Sequence, residues 1–120
     1  MTPEPYTRFR DELASALDPR FYTIEWLDQQ IETGALCSIG NDKAVIIFGF
    51  EQYPTGWLEL QGTAAAGDLA TIKDELIPAA EAIGRSIGCG TAEIESREGW
   101  ARALKVNGYD IFQVKIKKAL

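Results

Sequence analysis

The stretch Glu93-Ile-Glu-Ser-Arg-Glu-Gly-Trp-Ala-Arg-Ala-Leu-Lys-Val-Asn-Gly-Tyr109 decides the fold. Its first residues belong to a short strand, Thr91 to Ser96, which ends in a tight polar turn. Trp100 to Asn107 then reads as a helix. Gly108 suits its C-terminal cap, because glycine enters the left-handed region without steric cost. Beyond it, Phe112, Val114 and Ile116 alternate with Gln113, Lys115 and Lys117. That is the period of a strand with one covered face, expected from Asp110 to Lys117.

Upstream of this unit lies a long helical stripe made by Leu69, Ile72, Leu76, Ala80, Ile83 and Ile87. Asp68 is placed to cap it, since its carboxylate can accept from the first free amides. Pro78 falls inside the stripe and is expected to kink or split the helix, having no N–H and clashing with the preceding turn. Gly88 and Gly90 flank Cys89 and end it.

Further upstream the period is two. Trp57 to Ala65 places Trp57, Glu59, Gln61 and Thr63 on one face and Leu58, Leu60, Gly62 and Ala64 on the other. Lys43 to Gln52 contains Ala-Val-Ile-Ile-Phe-Gly-Phe, apolar on both faces, and is expected to be a central strand covered on both sides. Ala35 to Ile39 is a short apolar strand. Gly40-Asn41-Asp42 and Tyr53-Pro-Thr-Gly56 supply the turns. The chain opens with two helices. Pro5 begins the first, whose apolar stripe is Tyr6, Phe9, Leu13, Ala16 and Leu17, and Asp18-Pro19 stops it. Ile24, Leu27 and Ile31 line the second, from about Thr23 to Thr33, with Gly34 as its cap.

The order α-α-β-β-β-α-β-α-β gives an α+β (mixed α/β) class. A central, mostly antiparallel mixed sheet of about six strands is expected, with helices on both faces. The 120 residues form one domain, residues 1–120, without linker, internal repeat or low-complexity segment.

Composition narrows the chemistry. With 46% hydrophobic and 25% charged residues, the chain has the makings of an ordinary globular core. A net charge of −6 argues against a nucleic-acid surface, which needs clustered Lys and Arg. Lys115, Lys117 and Lys118 are the one basic cluster, and on a closing strand they protect an edge. The absence of histidine removes His-based proton transfer, His–Cys nucleophiles and the common zinc sites. Cys37 and Cys89 stand far apart, outside any metal or redox spacing, and fit small buried side chains in a reducing compartment. The N-terminus lacks a signal-peptide pattern and no apolar run is long enough to span a bilayer, so a cytoplasmic location without membrane contact is expected.

The element order, with Gly108-Tyr109 closing the fourth helix, resembles the acyl-CoA-dependent N-acetyltransferases of the GNAT type. Gly108-Tyr109 is similar to that family's Gly-Phe. The chain is also similar to small GNAT-like proteins that phages and prophages encode, through the Arg97-Glu-Gly-Trp100 turn and the same closing pair. The resemblance implies acetyl-CoA as donor and a Gln/Arg-x-x-Gly-x-Gly/Ala loop whose amides meet its pyrophosphate. Here that loop reads Ala64-Ala-Ala-Gly-Asp-Leu-Ala70, so Ala65, Ala66, Gly67 and Asp68 are the cofactor-binding positions. No Gln or Arg opens it, and Asp68 sets a negative charge where phosphates would lie.

The resemblance also implies a proton-donating Tyr in the fourth helix, where Leu104 stands, and an Asn aligned with Arg97. Glu59, Glu93 and Glu95 can supply the catalytic carboxylate by position, each also readable as a solvent-facing strand residue. Tyr109 can serve as general acid or simply pack as the family's Phe does, with its hydroxyl at the surface. Glu59, Glu95 and Tyr109 are taken as the catalytic candidates. Trp57 and Trp100 can line a groove, and Arg97 with Arg102 can form a small anion site.

The expectation is a diverged GNAT-fold protein acting through contacts with a protein partner or a second copy, such as a phage assembly or virion-associated accessory. It needs no cofactor, metal, nucleic acid or membrane. Two alternatives stand beside it: an acyl-CoA-dependent N-acetyltransferase with an atypical loop, and a small-molecule or peptide binding module. An open cleft between the fourth and fifth strands of the family pattern separates both from the first; a filled one sinks them.

Overall fold

A computed structural model describes residues 4–96 and 98–120. Two helices lead the chain, α1 (Glu4–Ala16) and α2 (Ile24–Glu32). A meander follows, β1 (Cys37–Gly40), β2 (Ala44–Gln52) and β3 (Leu58–Gly67). A continuous helical stretch comes next, built from α3 (Leu69–Thr71), a π-turn (Ile72–Leu76) and α4 (Ile77–Ser86). Then come β4 (Thr91–Ile94), α5 (Glu98–Ala103) and a 3-10 turn (Lys105–Asn107).

The strands lie in the order β1-β2-β3-β4. The first three pair antiparallel and β4 joins β3 in parallel, as a helical crossover requires. Residues Ala44 to Phe48 of β2 are fully buried, so this strand is covered on both faces as its apolar run implied. On one face Val45, Ile47 and Ala66 pack under Tyr6, Phe9, Leu13 and Leu27 of the first two helices. On the other, Ala44, Ile46, Phe48 and Leu60 pack against Ile72, Leu76, Ile77, Ala80 and Leu104. Each Leu or Ile so buried contributes roughly 1.5–3 kcal/mol. Tyr6 donates its hydroxyl to Asp28, which also takes a two-pronged ion pair from Arg10 at 2.7 Å, tying α1 to α2.

Three expectations need correction. Among the described residues the sheet has four strands, not about six, and Asp110–Lys117 forms no strand. Its side chains alternate, but alternation confers only the ability to pair, and this segment lies in the open. Phe112 and Ile116 are 91% and 92% exposed. The expected faces of β3 also hold only as far as Gly62. A register shift opposite Ile47 and Phe48 leaves Thr63 without a partner, so Ala64 turns to the α1 side and Ala65 to the α4 side.

The third correction concerns the long helix. Pro78 falls just after a π-turn that interrupts the α-helical ladder. The Ile77 N–H reaches back five residues to the Ile72 carbonyl. The Lys73 carbonyl then has only Pro78, without an N–H, to turn to, and instead accepts from Asn107 Nδ2 at 2.9 Å. The extra residue rotates the following turns, so Ile77 and Gly84 face the core while Ile83 and Ile87 are partly exposed. Among the described residues no helix is long and apolar enough to cross a membrane.

Candidate functional site

β3 and β4 stay together for only four rungs: Glu59 with Thr91, Leu60 with Ala92, Gln61 with Glu93 and Gly62 with Ile94. The last rung is close, and a Cβ on Gly62 would lie 3.2 Å from Ile94 Cγ1. Past it, the bulge at Thr63 steers β3 away while β4 ends. Among the described residues the edge of residues 63–66 that faces β4 has no sheet partner. A cleft of about 1110 Å3 opens there, reaching both faces of the sheet. Its floor is apolar, with Phe48, Leu60 and Ile77. Its α1 side carries the acids Glu12, Asp18, Glu93 and Glu95 with Lys115 and Lys117 beside them, and Asp18 is paired with Arg20 at 2.8 Å. Trp100 and Tyr109 stand on the α5 side. The cleft is open, the outcome that keeps the enzyme and binding readings alive.

The acidic side is organised by a pair of carboxyls on neighbouring strands. Glu59 accepts from Tyr53 Oη at 2.7 Å, Thr91 Oγ1 at 2.9 Å and Gln61 Nε2 at 3.3 Å. Burial opposes its charge, but hydrogen bonds from Tyr53, Thr91, Glu93 and Gln61 outweigh that and hold it below the usual carboxylate range. Glu93 is its counterpart. The hydrogen bond to Glu59, then burial and the charges of Glu59, Glu95 and Glu51, push its proton affinity up. Trp57 Nε1 donates to Thr91 Oγ1 at 3.0 Å and its ring lies over Gly90, where any Cβ would fall 2.3 Å from the ring. Trp57 thus props this end of β4.

The catalytic candidates are dispersed. Glu59 sits one rung below the cleft and reaches it only through Glu93. Glu95 is at the cleft, ion-paired with Lys115. The hydroxyl of Tyr109 is not at the surface but half-buried, donating to Glu81 Oε2 at 2.7 Å. Burial, then Glu81, drive its acidity well below that of an ordinary phenol. Leu104, at the position of the family's Tyr, is 2% exposed and belongs to the core. Arg97 lies outside the described residues, and Arg102 is exposed on α5. Cys37 and Cys89 are free, and burial followed by the nearby Glu59 raises the Cys89 thiol above its ordinary range. No group of three or more metal-ligating side chains gathers among the described residues.

The loop positions fare unevenly. Ala65 and Ala66 pack into the two cores. Gly67 has φ +105°, and a Cβ on it would sit 2.3 Å from the Lys43 carbonyl. The Asp68 N–H donates to that same carbonyl at 2.9 Å. Asp68 Oδ2 accepts from the Thr71 amide at 2.9 Å and its hydroxyl at 2.7 Å, and these bonds hold the acid below its usual range. The loop thus carries a fixed negative charge at the start of the helix. It does not fit a diphosphate. The residues the sequence left unassigned here are Tyr53, Thr91, Glu12 and Asp18. Their meeting is set by the parallel register and by where the α1–α2 connection lands, neither of which has a local signal.

Solved structures share this fold. An acetyltransferase from Trypanosoma brucei is 13% identical with a TM-score of 0.67, covering 100% of this chain and 97% of its own. Glucosamine-6-phosphate N-acetyltransferase from Arabidopsis thaliana is 14% identical at 0.67, covering 99% and 95%. Ribosomal-protein-alanine N-acetyltransferase from Brucella melitensis is 12% identical at 0.64, covering 97% and 90%. No protein-family model and no curated protein matches the sequence. The chain has a GNAT-like fold.

Proposed function

We propose that this GNAT-fold chain acylates an amine from the β3–β4 cleft, holding the donor by its pantetheine arm rather than by its diphosphate. The splay of β3 from β4 after Gly62 and Ile94 carries the reading, because it pairs an unpartnered strand edge with an open cavity. An acyl thioester would supply an activated carbonyl. The chain's own part is to hold the arm's amides along residues 63–66, to receive a cationic amine between Glu12 and Glu93, and to take the amine's proton on Glu93; as the amide forms the thioester's C–S bond breaks, and the thiolate leaves with a proton from water. A carboxylate of raised proton affinity is a better base than an ordinary one.

Calorimetry with acetyl-CoA and with an acetylpantetheine thioester tests it. Comparable affinities for the two, followed by acylation of an added amine, are expected. Absence of heat with both would sink the proposal.

A second reading rests on a specific observation, the fixed negative charge of Asp68 in the loop together with Leu104 in the core. On that reading the chain is a GNAT scaffold without donor recognition that acts through protein contacts. Silence in the same calorimetry, with a partner recovered on the acidic face, would favour it.

A further inference from the structure

The segment after Tyr109 returns to the cleft and brings amines with it. Lys115 and Lys117 both line the cleft, whereas Lys118 lies outside it. Lys115 Nζ is ion-paired with Glu95 Oε1, just past the end of β4. Lys117 Nζ stands over the ring of Phe21, 4.2 Å from its centre, on the connection between α1 and α2. One lysine thus holds the β4 wall and the other the α1–α2 wall, and both contacts are made within one chain. The cleft to which the acyl-transfer reading assigns a cationic amine already carries two of the chain's own.

The two contacts leave different chemistry open. The face of Phe21 attracts a cation but takes no proton, so it serves to anchor Lys117. The bond and charge of Glu95, with smaller contributions from Tyr22 and Glu93, keep Lys115 protonated. Such an amine becomes a nucleophile only when a base removes its proton. Glu93 lies two residues before Glu95, and both line the cleft beside Lys115.

We propose that Lys115 is an acylation site of this chain, modified in cis by a thioester held in the cleft. The inference rests on the acyl-transfer reading and names an acceptor for it. Glu93 takes a proton from the Lys115 ammonium, and the freed Nζ attacks the acyl carbonyl. The N–C bond forms as the C–S bond breaks. The nitrogen's surplus proton passes through water to the leaving thiolate, and Glu93 later returns its own to solvent. The product amide is neutral, so Glu95 loses its counter-charge and Lys117 alone holds the tail.

Incubation of the full chain with an acetylpantetheine thioester, followed by intact mass and peptide mapping, tests this. Donor calorimetry and acylation of an added amine run in parallel. One acetyl group per chain is expected, on Lys115, at a rate independent of chain concentration. Lys115 should lead its exposed neighbour Lys118 by about 100-fold or more, because only Lys115 starts in the cleft. Glu93→Gln should slow labelling of Lys115 about 100-fold and leave the slow background at Lys118 unchanged. Lys118→Arg should leave the label on Lys115. Equal labelling of Lys115 and Lys118, or labelling that Glu93→Gln does not slow, is reaction with the thioester alone and overturns the proposal. So does a rate that rises with chain concentration. Transfer to the added amine with Lys115 unlabelled overturns this inference and keeps the acyl-transfer reading. No donor heat and no transfer to either amine removes both.

Discussion

Glu93 shares a hydrogen bond with Glu59 across the parallel β3–β4 pair, and the two acids are driven apart in proton affinity by it. Glu93 is raised, so its contribution to stability is full below the ordinary carboxylate range and fades as pH rises through its raised value. Glu59 is lowered, so its contribution is full above that range and is lost as pH falls through its depressed value. Glu93→Gln keeps a donor toward Glu59 and removes a charge. Melting followed against pH should show the variant gaining on wild type as pH rises above the ordinary carboxylate range, and standing at or above wild type at neutral pH. A variant less stable than wild type at neutral pH would contradict the shared bond.

The same substitution separates structure from chemistry. If Glu93 accepts the amine's proton, Glu93→Gln should lower kcat about 100-fold or more, within the usual span of general-base effects, and leave donor binding unchanged. Glu59→Gln should instead shift the acid limb of the rate profile, because it acts through Glu93.

Asn107 should matter more than a surface amide normally does. Its Nδ2 serves the Lys73 carbonyl that the π-turn and Pro78 leave without a helical donor. Asn107→Ala strands that carbonyl and should cost about 1–3 kcal/mol in denaturant unfolding. In a Pro78→Ala background an N–H returns to position 78, and the cost of Asn107→Ala should shrink.

These two relationships mark where the sequence stops informing. Periodicity carried the element order, because the apolar stripes of α1, α2 and β2 depend on nearest neighbours along the chain. The stripe through Ile83 and Ile87 failed because Pro78 inserted a residue of phase, and the compensating donor lies far away at Asn107. The alternation from Phe112 to Ile116 states what the segment can do, not what it meets. At the site, Asp68 was legible as a cap because capping is local. The Glu59–Glu93 pair was not, since a parallel register is fixed only when α4 has crossed over the sheet. Thr63 gave no sign of a bulge within Gly-Thr-Ala-Ala-Ala.

Leu104 occupies the place where the resemblance would put a proton-donating tyrosine, and it is a core residue. Leu104→Tyr would have to seat a larger ring and a hydroxyl among Ile77, Ala80 and Trp100. Overpacking of that kind costs about 1–3 kcal/mol. The variant should melt lower and gain no acyl transfer. A gain in rate without loss of stability would show that position 104 opens onto the cleft.

Tyr109 offers the last test, because its hydroxyl is already committed. It donates to Glu81 Oε2 at 2.7 Å, and burial followed by that carboxylate makes it a poorer acid than a free phenol. A general acid must release its proton to a leaving group, whereas this one is held toward α4. Tyr109→Phe keeps the ring against the core and removes only the bond. It should cost about 1 kcal/mol of stability, the net worth of one hydrogen bond, and leave kcat within a few-fold of wild type. A loss of 100-fold or more, with the alkaline limb of the rate profile abolished, would instead return Tyr109 to the chemistry and require Glu81 to let it go during turnover.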